Sequence, residues 1–107
     1  MKTLKFRSNL IKPILEGVKT STWRLFDDKN LSKEDKISLI DWKTKIEFKK
    51  AIITEVIERS FDELTPEDLK GHEKYNSKED MYKGYEEYYN KPVNENTKVK
   101  IIRFKLL

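Results

Sequence analysis

The sequence predicts a mainly β domain with α insertions: a small closed or nearly closed barrel with short helices packed around its mouth. Three observations lead there. Strand-like and helix-like segments alternate in the order β-α-β-β-β-α-α-β, with strands dominant. The 107 residues fit one domain spanning 1–107. A short chain rich in strands has edges to protect, and closure removes them. A ferredoxin-like sandwich fits less well, because it wants more regular βαβ spacing and explains the long fourth strand poorly.

The opening "TLKF" reads as a short strand. "SNLIKPILEG" predicts a helix, because Leu10, Ile11, Ile14, Leu15 and Val18 recur at three- and four-residue spacing on one face. Ser8 or Asn9 is suited to cap it, and Pro13 lies near the first turn, where its cost is reduced. Gly17 supplies the stop. "KTSTWRLF" is a strand rich in threonine and aromatics, and "DDKNLSKED" a polar loop. "KISLIDW" and "TKIEFKKAIITEVIERS" are two further strands, the second long and bulged where "AII" interrupts its alternation. Thr65 caps a short helix, with Pro66 at its first position and Asp68 three residues on. Ser77 caps another, with Met81, Tyr85, Tyr88 and Tyr89 on a broad aromatic face and Gly84 weakening it. "TKVKIIRFKLL" closes as a strand.

Composition narrows the chemistry. Hydrophobic residues are 36% and charged residues 39%, and the 11% aromatic fraction argues against disorder. There is no cysteine, so disulfides and thiolate chemistry are excluded. His72 is the only histidine, so a histidine-rich metal site is excluded too. No apolar run has membrane length and no apolar leader segment precedes the domain, so a cytoplasmic protein without a membrane partner is expected. The net charge of +4 permits nucleic acid without demanding it. The four arginines, at 7, 24, 59 and 103, are scattered rather than clustered.

The segment "GVKTSTWRLF" concentrates polar chemistry. On a strand, Thr20, Thr22 and Arg24 share one face, and Ser21, Trp23 and Leu25 the other. Trp23 and Leu25 then read as core, leaving the first set to a groove or to solvent. Lys19 sits at the strand's entry. A threonine hydroxyl needs an adjacent base to become a nucleophile. A lysine serves only if burial or a nearby cation such as Arg24 lowers it from its usual value near 10.4. Arg24 has the donor fork for a phosphate or a base carbonyl, and equally for a cross-strand ion pair with an acid of "IEF" or "ITE". Trp42 and the tyrosines 82, 85, 88 and 89 are able to stack on a base or to cap a core. The lysines of "EFKK" and "VKIIRFK" suit either a phosphate backbone or a solvated face. The acids of the third helix would repel RNA from that side.

"ILEGVKTSTWR", then "ITEVIERSFDELTPEDLKGHEKYNSKEDMYKGYEEYY", then "VKIIRFKLL" together resemble the ASCH domain family of the PUA-like group. A GxKTxTxR pattern runs from Gly17 to Arg24. The resemblance covers nearly the whole chain and implies a PUA-like barrel with a groove beside it for RNA or a modified nucleoside. Thr20, Arg24, Trp42, His72 and Tyr85 are the ligand-binding residues expected for it. An alternative comes from small bacterial members that hydrolyse the acetyl amide of N4-acetylcytidine. Likeness to them implies Lys19 as proton acceptor, Thr22 as nucleophile and Glu73 as proton donor, with no metal and no cofactor. Glu67 is a second match for the acid, and His72 and Lys74 flank Glu73 where relatives carry other residues. A protein-interaction module is a further reading, and a monomer is expected.

Overall fold

The segments fold in the predicted order: β1 (Lys2–Phe6), α1 (Ile11–Leu15), β2 (Ser21–Leu25), β3 (Lys36–Asp41), β4 (Glu47–Ser60), α2 (Pro66–Leu69), α3 (Lys78–Tyr89) and β5 (Lys98–Leu106). Single 3-10 turns at Ser8–Leu10 and Phe61–Glu63 precede α1 and α2. The computed structural model describes every residue except Asp28 and Glu73. One five-stranded sheet runs β1-β3-β4-β5-β2. β1 and β3 are parallel and the other pairs antiparallel.

Where a closed or nearly closed barrel was expected, the sheet is an open, strongly curled half-barrel. Strand β4 makes the curl. Its first half pairs with β3 over residues 47–52 and its remainder with β5 over 51–60. The register shifts between Ile53 and Glu55, just past the "AII" that predicted a bulge. An extra residue there bends the strand and raises its twist. The curl nonetheless leaves β1 and β2 as edges with no ladder between them. What crosses the gap is a side chain: Arg24 Nη2 donates to the Lys5 carbonyl at 2.7 Å.

Both faces of the sheet are buried where β5 runs. Inside the curl lie Leu4, Phe6, Ile14, Ile37, Leu39, Ile53, Ile102 and Phe104. Against the other face α3 packs Met81 and Tyr85 on Trp23, Leu25, Val99 and Ile101. Ile101 and Ile102 are consecutive, fully buried and in different clusters. A strand covered on both sides loses simple alternation. Truncating either isoleucine to alanine removes about 2–5 kcal/mol of packing.

The helix starts differ from expectation at one place only. Thr65 and Asp68 form a reciprocal cap, with bonds of 3.3 and 3.0 Å, and Ser77 Oγ accepts the Asp80 N–H at 3.1 Å. Neither Ser8 nor Asn9 caps α1, because the Ser8 hydroxyl donates to Asp41 Oδ1 at 2.8 Å instead. The predicted apolar face of that helix is also incomplete. The helix stops at Leu15, so Val18 is released from the face and lies exposed.

Three of the four cations of β5, Lys98, Lys100 and Arg103, are paired within the fold, while Lys105 is exposed. Lys100 pairs with Asp27 at 3.3 Å and Arg103 with Glu55 at 3.3 Å. Arg59 of β4 meets the buried Asp68 of α2 at 2.8 Å and so anchors the segment that follows β4. Asp68→Ala is expected to cost about 2 kcal/mol in urea unfolding, below the about 3–5 kcal/mol of a fully buried broken pair, because Arg59 keeps contact with water. An unchanged midpoint would show that α2 is held by its apolar contacts alone.

Candidate functional site

The entry to β2 is built by two glycines. Gly17 takes φ +77°, and the next two N–H groups, of Val18 and Lys19, both donate back to the Pro13 carbonyl at 3.0 and 3.1 Å. The chain is thereby turned sharply into β2, and Lys19 is carried inside. Its side chain is buried, and its Nζ donates to the Ser21 carbonyl at 2.8 Å. Burying an amine is tolerable only with such partners.

Gly71 completes the entry from the other side. Its carbonyl accepts the N–H groups of Thr20 and Ser21 at 2.9 and 3.2 Å. The preceding carbonyl, of Lys70, accepts from Ser21 Oγ at 3.3 Å and Arg103 Nη1 at 3.2 Å. Gly71 has φ +74°, and a Cβ there would lie 2.0 Å from Thr20 Oγ1. No other residue fits both the conformation and the space. This clamp places His72, whose ring stacks on Trp23 at 4.0 Å between centroids and 16° between planes.

Beyond the clamp, a cleft of about 300 Å³ opens between the facing edges of β1 and β2, with α3 over it. Its aromatic walls are Phe6, Trp23, Tyr75, Tyr85, Tyr88 and Tyr89. Thr22, Arg24 and His72 supply polar atoms to it, and Gly84 of α3 supplies bare backbone. Tyr89 takes the Leu25 N–H on its hydroxyl at 3.1 Å, and burial pushes its phenol up, so it stays neutral. The Arg24 guanidinium lies 5.1 Å from the centre of the Phe6 ring. Two buried N–H donors in the walls, Trp23 Nε1 and Arg24 Nε, have no hydrogen-bond partner among the described residues.

The structure gathers four of the expected residues, Thr22, Arg24, His72 and Tyr85, around this cleft. Thr22 and Arg24 share a face as strand parity required, but the second set is not remote: Trp23 reaches the cleft as well, because β2 is an edge. Lys19, Thr20 and Trp42 are not among its lining residues. Thr20 is exposed over Gly71, and Trp42 stands on the β3–β4 turn. Glu73 lies outside the described residues. Glu67, the second match for an acid, is exposed and paired with Lys70 at 2.8 Å. The Lys70 bond holds its carboxyl below the usual range, which is opposite to what a proton donor needs. Arg24 bonds a carbonyl of β1, not the acid of a neighbouring strand.

Among the described residues no group of three or more His, Asp or Glu side chains is arranged to hold a metal ion. No helix formed by them is long and apolar enough to cross a membrane. The roles of Gly71, Gly84 and the β1 edge were not legible locally. A glycine after a short helix signals a C-terminal stop, but which side chain it must clear is a tertiary fact.

No family model matches the chain, and no curated protein matches it. Solved structures do. The ASCH domain from Lactobacillus crispatus superposes with a TM-score of 0.67 at 13% identity, covering 89% of this chain and 68% of that one. This chain has the ASCH-domain fold. A variant of ZmASCH from Zymomonas mobilis gives a TM-score of 0.66 at 15% identity, over 96% of this chain and 66% of that one. The hypothetical protein PH0355 is matched over 100% of both chains, with a TM-score of 0.76 and 22% identity. In this ASCH fold the helices flank a curled sheet, and the cleft occupies the seam that a closed barrel would zip shut.

Gly71→Ala is expected to lower stability by at least about 1–2 kcal/mol, the cost of a left-handed alanine, before the clash with Thr20 is added. The near-ultraviolet circular dichroism of Trp23 should change with it, because His72 moves off the indole. Native spectra and an unshifted melting temperature in that variant would rule out the clamp.

Proposed function

We propose that this ASCH-fold chain binds a nucleoside, free or within RNA, in the cleft between β1 and β2. The observation that carries the reading is the pair of unpartnered donors, Trp23 Nε1 and Arg24 Nε, in an aromatic-walled cleft. A buried donor left unpaired costs about 1–3 kcal/mol. A ligand that brings acceptors into the cleft recovers that cost. A nucleobase has carbonyl and ring-nitrogen acceptors at its edge and a flat face for stacking on tyrosine or tryptophan. The cleft volume of about 300 Å³ is at the small end for ligand sites. That suits one nucleoside better than a larger cofactor.

Titration calorimetry with cytidine and with N4-acetylcytidine tests this. Binding of at least one is expected, and Tyr85→Ala should weaken it about tenfold, the loss of one stacking wall. No heat of binding from either nucleoside at millimolar concentration sinks the reading.

A second reading, hydrolysis of N4-acetylcytidine, is favoured by the burial of Lys19 at the entry of the strand that puts Thr22 in the cleft wall. In it the Thr22 hydroxyl attacks the acetyl carbonyl and Lys19 takes its proton. Glu73 protonates the departing amine of cytidine, and water then releases acetate from Thr22. A neutral Lys19 amine keeps a hydrogen for the Ser21 carbonyl while its lone pair serves as base. Thr22→Ala is expected to abolish cytidine release, followed by chromatography, while N4-acetylcytidine still binds. Turnover that persists in that variant removes Thr22 as nucleophile.

A further inference from the structure

The chain has three glycines, at 17, 71 and 84. Positive φ accounts for Gly17 and Gly71, and lack of space accounts for Gly71 a second time. Neither reason applies to Gly84. It sits in the middle of α3, with helical backbone. A Cβ there would meet no described atom within 4 Å beyond its chain neighbours and the helix backbone. No close packing therefore demands the bare position. A glycine inside a helix lowers the folding equilibrium about fivefold relative to alanine. α3 carries that loss with no packing gain in return.

The open space over Gly84 is the cleft. α3 lines it with Gly84, Tyr85, Tyr88 and Tyr89. Gly84 and Tyr88 are one turn apart on the same face. The three tyrosines are engaged with their surroundings. Tyr85 lies at 16° to the plane of Trp23, the Arg7 guanidinium lies 4.8 Å from the Tyr88 ring centre, and the Tyr89 hydroxyl holds the Leu25 N–H. Gly84 is the point on this wall where a ligand meets helix backbone with no side chain between. A side chain at position 84 would occupy cleft volume rather than fill a packing gap.

We propose that Gly84 sets the capacity of the cleft: its missing side chain leaves a bare turn of α3 on which the flat ring of the ligand lies, and any side chain at this position takes that seat. The inference rests on the cleft reading and adds the residue that decides what size of ligand fits. Glycine permits a close approach of backbone to a ligand. The cleft measures about 300 Å³, so a leucine side chain would remove a large share of it. Stability given up where a site needs room is a trade that folded proteins make. A glycine that persists only because an exposed helix position tolerates it predicts something different. Alanine would then stabilise the helix and leave the ligand unaffected.

The test uses the full chain with Gly84→Ala and Gly84→Leu, and cytidine and N4-acetylcytidine as probes. Gly84→Ala should raise the melting temperature by about 4 °C. In calorimetry it should weaken the tighter of the two nucleosides about fivefold, and Gly84→Leu should weaken it by more than about tenfold. A gain in stability together with a loss in affinity is the signature, because damage to the fold would lower both. Native affinity in Gly84→Leu overturns the proposal. So does a Gly84→Ala melting temperature that fails to rise, which would give the glycine a structural duty instead. A native chain that binds neither nucleoside removes the cleft reading, and Gly84 is then judged without a ligand. The probe is acrylamide quenching of Trp23 fluorescence, with Trp42→Phe removing the other of the two tryptophans. Quenching cut severalfold by Gly84→Leu upholds Gly84 as the residue that sets the room in the cleft, and unchanged quenching overturns it.

Discussion

Strand β2 has one ladder partner, and the rest of the site follows from that. It pairs with β5 along one side, while its other side faces β1 without a ladder. An edge strand carries backbone groups that need covering. Here the cover is side chains: the Tyr89 hydroxyl accepts the Leu25 N–H, and Arg24 reaches over to the Lys5 carbonyl. Because side chains hold the edges apart rather than a ladder holding them together, a space remains. That space is the cleft, and its walls are the residues that would have been sealed inside a closed barrel.

The clamp at the start of β2 serves the same end. A strand of five residues pairing on one side is weak unless its ends are fixed. Gly17 fixes the approach through the Pro13 carbonyl, and the Gly71 carbonyl fixes the first residues. The clamp also brings a distant stretch of chain to the site, and His72 rides on it to the face of Trp23. Trp23 is then packed against His72 and Tyr85, with planes 16° from each ring. The indole Nε1 is buried with no hydrogen-bond partner among the described residues.

Charge is distributed to suit. Among the described residues, ion pairs engage Lys2, Lys50, Arg59, Lys70, Lys98, Lys100 and Arg103, a minority of the 23 lysines and arginines behind the net +4. Lys100 and Arg103 of β5 meet acids from the loop after β2 and from β4, and one buried acid, Asp68, is answered by Arg59. Arg7 is the cation whose guanidinium lies over Tyr88, a wall of the cleft, 4.8 Å from the ring centre.

Local sequence determined the order of elements, the two side-chain helix caps, the bulge past "AII" and the polar character of residues 19–24. Each depends on neighbours within a few positions: hydrophobic period, a hydroxyl before an acidic turn, alternation broken by consecutive aliphatics. The resemblance to ASCH domains was legible for the same reason, as a string of such local patterns in order. The tertiary structure decided the remainder. Whether β1 and β2 would zip together depended on the bend of β4 and on Arg24 meeting a carbonyl 19 residues before it. Ser8 abandoned its cap for Asp41, which is 33 residues away. Ile101 and Ile102 are both core because α3 returns over the far face of β5, and no period within the strand announces that. Trp42 is outside the cleft because it follows β3, across β1 from the edge that faces β2. Such contacts join residues far apart in the chain, and their energies depend on which surfaces meet, so they have no local signature to read.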